Sequence, residues 1–284
     1  MADACECWYF LIISILLLSL LFSFVHINTK VEYFIKVTLL YLTILVDAIL
    51  CCLVCTPAHF FGDPPKLIFN TFRVFSSWTG IKCDVRNIDN YTKVDRPYIV
   101  IANHQSSVDI VVLSHVWPPY CSIMMKKSLC WIPFFNYAAY LANTIFVDRQ
   151  NHDKASQSID ECVNAIKHKN LSLFVFPEGT RNHERGLLPF KKGAFNIAVK
   201  AAIPIIPIVI SSYKPFYDKE KRYFNSSGYV IAEVMEPIST KDLKLEDVPE
   251  LTEKVRSAMI ETYDRISKEA ELKYNQQLNH DKSD

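Results

Sequence analysis

In PYIVIANHQSSVDIVVL, from Pro97 to Leu113, an apolar run breaks into Asn103, His104, Gln105, Ser106 and Ser107, and Asp109 follows before the apolar residues resume. If a helix begins near Ser106 or Ser107, both good caps, His104 sits on the loop before it and Asp109 on its first turn. The carboxylate can then fold back on the imidazole and fix its tautomer. The second ring nitrogen is left to take a proton from an attacking hydroxyl. Taken alone, the same two residues could equally do no more than cap a helix.

A second stretch, LFVFPEGTRN, ends at Asn182. Four apolar residues make a strand, Pro177 stops it, Gly179 permits a tight turn, and Glu178 and Arg181 project from the loop. Arginine offers a planar fork suited to phosphate, although a local Glu–Arg surface pair has the same composition and little energetic weight. In a third stretch, TIFVDR, Asp148 and Arg149 stand at the end of another short strand. Two strand-end arginines joined by Lys126 of MMKKSL and Lys191 of FKKGAF could build an anion pocket opposite the histidine. Lys127 and Lys192 read as solvated surface charges. The fourth stretch, AAIPIIPIVI, carries two prolines and suits an edge strand or an apolar wall.

These stretches need strands to hold them. IVIA before Asn103, SIMM after Cys121, IFV before Asp148, LFVF before Pro177, IIPIVI after Pro204 and YVIAEV after Gly228 have the composition of short strands. Helical spacing lies between and after them, as in Ile159, Cys162, Val163 and Ile166, or Leu251, Val255, Met259 and Ile266. Alternating strands and helices predict an α/β layer fold with a mixed, largely parallel sheet flanked by helices, its functional loops at strand ends.

The N-terminal part is of another kind. Trp8 to Val25 carries no charge and is about as long as a spanning helix must be. Acidic Asp3 and Glu6 before it, and the lack of a small-residue cleavage site after it, identify a retained anchor rather than a signal peptide. A second run, Val37 to Cys55, is interrupted by Asp47, so that it either spans or folds back as a re-entrant or interfacial segment. The Pro64-Pro65 pair marks the boundary, giving a membrane anchor over 1–62 and a catalytic domain over 63–284, which the positive-inside tendency puts in the cytosol. Sequons at Asn90, Asn170 and Asn225 would matter only on the opposite side.

Composition narrows the partners. The 284 residues are half hydrophobic and carry a net charge of +1, without the basic stripe that nucleic-acid binding needs. Nine cysteines are scattered or lie in apolar runs, which is no disulfide framework, and the Cys52–Cys55 CxxC lacks a second pair or histidine to make a metal site.

In order and spacing, NHQSSVD, TIFVDR, FPEGTR and IPIIPI resemble the four blocks of the glycerolipid acyltransferase family. The longer context, KKSLCWIPFFN, LANTIFVDR and RGLLPFKKGAF, is similar to the 1-acylglycerol-3-phosphate acyltransferases in particular, with Ala142 and Asn136 where relatives commonly carry glycine. The resemblance implies the glycerolipid acyltransferase fold behind an N-terminal membrane helical hairpin. It also implies transfer of an acyl group from acyl-CoA to the sn-2 hydroxyl of lysophosphatidic acid, giving phosphatidic acid, with no acyl-enzyme, metal or other cofactor. His104 is then the base and Asp109 its orienting partner, while Lys126, Arg149, Glu178, Gly179, Thr180 and Arg181 form the substrate-binding set. Arg149, Arg181 and Lys126 are expected on the acceptor's phosphate. Gly179 shapes its loop, and Glu178 either pairs with a basic neighbour or positions the acceptor. The membrane implied is the endoplasmic reticulum, or the inner membrane if the source is bacterial. Rival readings are the same chemistry on another lysophospholipid or on glycerol 3-phosphate, a membrane thioester hydrolase, and a lipid-binding protein without turnover.

Overall fold

The computed structural model describes residues 29–147 and 155–280, with backbone alone for 57–61, 155–158 and 161. The first apolar run, Trp8–Val25, and the pair Asp148 and Arg149 lie outside the described residues. In chain order the helices are α1 (Thr29–Phe61), α2 (Pro64–Phe75), α3 (Asp109–Val116), α4 (Phe135–Leu141), α5 (Ala155–Lys169), α6 (Gly193–Ala201) and α7 (Val248–His280). The strands are β1 (Lys82–Arg86), β2 (Ile99–Ala102), β3 (Cys121–Lys126), β4 (Ile145–Val147), β5 (Ser172–Val175), β6 (Ile205–Ile210), β7 (Tyr217–Asp218), β8 (Tyr223–Phe224) and β9 (Tyr229–Val234).

Seven strands form one sheet in the order β1-β9-β6-β2-β5-β3-β4, and β7 with β8 makes a separate hairpin. β6, β2, β5, β3 and β4 run parallel, whereas β9 is antiparallel to β6 and carries β1 parallel to itself. All six expected strands are present. β1 and the β7–β8 hairpin add to them, because KCDVR has too few apolar residues to read as a strand and a two-residue strand has no period to read.

Period-two alternation splits the core into two layers. Val100 and Ala102 of β2 join a cluster with Leu40 of α1, Phe72 of α2 and Val112 of α3. Ile99 and Ile101 face the other way, onto Cys162, Val163 and Ile166 of α5, Phe195 of α6 and Val255, Met259 and Ile266 of α7. Full burial of each such side chain contributes about 1.5 to 3 kcal/mol. A strand with both faces covered has to be apolar throughout, as IVIA is.

The prolines of AAIPIIPIVI do not mark an edge. β6 is a central strand, between β9 and β2, and every residue of it is buried. Pro207 is tolerated there because its missing donor falls at the end of a ladder. Its carbonyl still accepts from Met235 N–H at 2.8 Å, one residue past the end of β9.

α1 is one uninterrupted helix, and its 28-residue segment Thr29–Thr56 is long and apolar enough to cross a membrane by length and composition. Tyr33 and Leu40 pack into the core, while Phe34, Leu39, Leu42, Leu45, Ile49 and Leu53 are exposed. Asp47 is buried on the protein-facing side. The chain then turns sharply into α2. Asp63 caps that helix through Lys66 N–H, Pro64 and Pro65 fill its first two positions, and the second Asp63 oxygen accepts Tyr120 N–H at 2.6 Å.

Candidate active site

The carboxyl ends of parallel β2 and β5 lie side by side, and the loops leaving them build one cluster. After β2 the chain is pinned to β6 by two amide side chains. Asn103 donates to Ile210 C=O at 2.9 Å and accepts Ile210 N–H at 2.8 Å, prolonging the β2–β6 pairing by one side-chain step. Gln105 donates to the Ile210 and Ser211 carbonyls and accepts Tyr213 N–H. Between these two anchors His104 points away from the sheet.

His104 Nδ1 lies 2.6 Å from Asp109 Oδ2, and that oxygen also accepts Gln105 N–H at 2.9 Å and Ser106 N–H at 3.2 Å. Asp109 is buried, and its acceptor role fixes the proton on Nδ1. Nε2 has no hydrogen bond among the described residues. The imidazole lies flat on Phe176, with ring centroids 3.8 Å apart and planes at 16°. The helix begins at Asp109 itself rather than near Ser106 or Ser107, and no serine caps it. Ser106 Oγ instead accepts Val108 N–H within the turn, and Ser107 Oγ bonds Tyr41 of α1 at 2.6 Å. The residue that both closes the turn and orients the histidine is the aspartate. The turn closure and the contact with the imidazole are therefore one arrangement.

The loop after β5 clamps the histidine's backbone on both sides. Glu178 Oε1 accepts His104 N–H at 2.7 Å, Glu178 Oε2 accepts Leu188 N–H at 2.8 Å, and Asn182 N–H donates to His104 C=O at 2.7 Å. Burial pushes the Glu178 carboxyl above its ordinary range, against the pull of those two amides. Gly179 turns the loop at φ +70°, and a Cβ there would come 2.7 Å from Cε of Lys191, whose stem lies across the turn. Thr180 and Arg181 follow in the same loop, and both are exposed.

Of the expected cations, Arg181 and Lys126 belong to different strand ends of the sheet. Arg181 lies near Tyr41, whose hydroxyl feels its charge. Lys126 ends β3, paired with Val147, and β5 separates β3 from β2, so that it stands about 10 Å to the other side by strand spacing. Arg149 follows Val147 by two residues and lies outside the described residues. The β7–β8 hairpin brings in charges that sequence spacing does not mark. Lys219 Nζ meets His183 Nε2 at 3.1 Å, and Lys214 binds Asp218 at 2.8 Å. YDKEKRYF offers no pattern that would have found them, because it is a hairpin tip with ordinary surface charge.

An apolar cleft runs beside this site between α1, α2, α3, β3 and α4, lined among others by Ile44, Phe69, Ile110, Trp117, Ile123 and Met125. Ala142 ends α4 at φ −78°, so glycine's freedom is not needed there.

Residues 82–211 match the family model described as Acyltransferase. A Caenorhabditis elegans protein, named provisionally as the 1-acyl-sn-glycerol-3-phosphate acyltransferase acl-2, is 44% identical over 260 residues, 92% of each chain. The human 1-acyl-sn-glycerol-3-phosphate acyltransferase beta is 34% identical over 265 residues, 93% of this chain and 94% of its own. The crystal structure of the 1-acyl-sn-glycerophosphate acyltransferase PlsC from Thermotoga maritima shares the fold, with a TM-score of 0.64 at 23% identity over 83% of this chain and 97% of that one. With a buried aspartate set on a strand-end histidine, and alignment to such relatives over nearly its whole length, the chain belongs to the 1-acylglycerol-3-phosphate acyltransferase family.

Proposed function

We propose that the protein acylates the sn-2 hydroxyl of lysophosphatidic acid from acyl-CoA, giving phosphatidic acid and free CoA. The observation that carries this is the 2.6 Å contact from His104 Nδ1 to Asp109, with Nε2 without a hydrogen bond among the described residues. An alcohol is a poor nucleophile at neutral pH, and Nε2 removes its proton as the oxygen attacks the thioester carbonyl. The tetrahedral adduct then expels sulfur, and the imidazolium returns the proton to it. A thiol with a pKa of roughly 8.5 is a good leaving group, so the cycle needs no acyl-enzyme, metal or other cofactor. Asp109 holds the ring and stabilises its charged form.

Arg181, Arg149 and Lys126 carry the substrate phosphates, and Gly179 and Thr180 shape the loop that presents Arg181. The apolar cleft beside Ile110 supplies a dry surface for an acyl chain. The exposed apolar face of α1 supports a site at the membrane surface, reached by the lysolipid without leaving the bilayer. The location proposed is the cytosolic face of the endoplasmic reticulum, or the inner membrane of a bacterium.

The test is conversion of lysophosphatidate and acyl-CoA by the purified full chain in lipid nanodiscs, with His104→Ala alongside. Activity in the wild type and its loss in a folded variant are expected. Equal activity in His104→Ala would overturn the base assignment. Free fatty acid released without acceptor would favour a hydrolase.

A further inference from the structure

Between the His104 loop and the β7–β8 hairpin lies a small pocket lined by Gln105, Ser106, His183, Lys214 and Lys219, with the acids Glu184 and Asp218 also in its lining. Its charges are unevenly matched. Lys214 is held by Asp218 at 2.8 Å and lies 3.8 Å from Glu184. Burial would lower the pKa of Lys214, but Asp218 outweighs it and the net direction is upward. Lys219 and Arg181, by contrast, have no carboxylate within ion-pair distance among the described residues.

Lys219 Nζ instead donates to His183 Nε2 at 3.1 Å. The imidazole can accept only when neutral. Burial, followed by the charges of Lys219, Arg181 and Lys214, pushes its pKa down, and its other nitrogen serves the backbone of Gln105. His183 thus ties the hairpin's cation to the residue after His104. Arg181 and Lys219 both act on the hydroxyl of Tyr41, which bonds Ser107 at 2.6 Å. Three elements, the β5 loop, the hairpin and α1, converge here. Asp218 and Glu184 are engaged by Lys214, so the charges of Lys219 and Arg181 stay without an ion pair among the described residues, and a dianion that reaches both would stabilise them.

We propose that Arg181 and Lys219, with His183 aiming the lysine, form a phosphate-monoester site on the hairpin side of the catalytic histidine. The inference rests on the proposed reaction and sharpens it, since both substrates carry such a group: the head of lysophosphatidate and the 3′-phosphate of CoA. Lys126 stands on the opposite flank, so each phosphate-bearing substrate has its own cations.

The experiment uses the full chain in nanodiscs with Lys219→Ala and Lys219→Arg. If the site takes the acceptor, Lys219→Ala raises KM for lysophosphatidate about 10-fold and leaves KM for acyl-CoA unchanged. If it takes the donor, KM for acyl-CoA rises about 10-fold, and the effect disappears with acyl-3′-dephospho-CoA. In both cases Lys219→Arg restores most of the loss. A fall in kcat with both KM values unchanged, or no change at all, overturns the site. A second measurement separates the site from the reaction. With the imidazole carbons labelled, NMR should show inorganic phosphate raising the pKa of His183 in the wild type but not in Lys219→Ala, because a bound anion offsets the field that depresses it. If phosphate moves His183 in a wild type that fails to acylate lysophosphatidate, the reaction is wrong and the site stands. If acylation proceeds and phosphate leaves His183 unmoved, the site is wrong and the reaction stands.

Discussion

Glu178 holds His104 by its backbone: one carboxylate oxygen accepts His104 N–H at 2.7 Å, while the other accepts Leu188 N–H at 2.8 Å. The glutamate of FPEGTR has no ion pair among the described residues, and it is not turned toward solvent. It is buried, and it ties the far end of its own loop to the backbone of the histidine proposed as the base.

Glu178→Gln is isosteric but keeps a single acceptor oxygen, so one of the two amides must face an NH2 group. The expected result is a folded protein whose kcat falls about 10- to 100-fold with both KM values little changed, the pattern of a displaced base rather than of weakened substrate binding. The pH dependence has a definite sign. Because burial raises the folded-state pKa of Glu178, its ionisation opposes folding, and its contribution to stability falls as pH rises through that raised value. Stability curves of wild type and Glu178→Gln measured against pH should therefore diverge in that direction as pH rises above an ordinary carboxyl pKa.

Asp109→Asn probes the other half of the arrangement. Asp109 Oδ2 accepts from the imidazole and from two backbone amides, and an asparagine oxygen placed there leaves its NH2 buried. If the amide flips instead, the ring meets a donor and must shift its proton to Nε2, the wrong tautomer for a base. A loss in kcat of about 10²- to 10⁴-fold is expected, with KM for lysophosphatidate retained. A variant within threefold of wild type would remove Asp109 from the mechanism.

The sheet was legible because its central strands are covered on both faces and so are continuously apolar, as IVIA and IIPIVI are. β1 was not, because its half-buried KCDVR has no such run. In the site, type and spacing alone did not separate a helix cap from a base and its orienting partner, while the approach of Asp109 to His104 was readable from them. The roles of Asn103, Gln105 and Glu178 were not, since each partner lies about 75 to 110 residues away on β6 or the opposite loop. Pro207 misled for a related reason. Whether a missing N–H is costly depends on which neighbour it faces and where that neighbour ends, and both are properties of the assembled sheet.

Gly179→Ala tests the shape of the Arg181 loop. The position has φ +70°, which costs an alanine about 1 kcal/mol or more, and its Cβ would meet the stem of Lys191. Lys191 is exposed at its far end and can swing aside, so the strain should be confined to the backbone. The expected outcome is a drop of a few degrees in Tm together with a several-fold rise in KM for the phosphate-bearing acceptor. Adding Lys191→Ala should recover less than half of the Tm loss, which would locate the cost in φ rather than in the clash.

Arg86 on β1 ties the edge of the sheet to the long C-terminal helix through a two-pronged pair with Glu269 at 2.6 and 2.8 Å, with Asp84 at 2.9 Å completing the group. The Arg86 guanidinium holds the Glu269 carboxyl down from its ordinary 4.5 to about 2. A depressed carboxylate stabilises the fold at pH values above its unfolded-state pKa and loses that contribution as pH falls toward the folded one. Glu269 is 37% exposed, so solvent screening holds the pair below about 1 kcal/mol. Glu269→Gln should therefore lower Tm by only about 2 °C at pH 7, and the gap to wild type should close between pH 4.5 and about 2. If the gap stays constant across that window, it does not come from the Glu269 charge, and the ion pair contributes nothing to holding the helix.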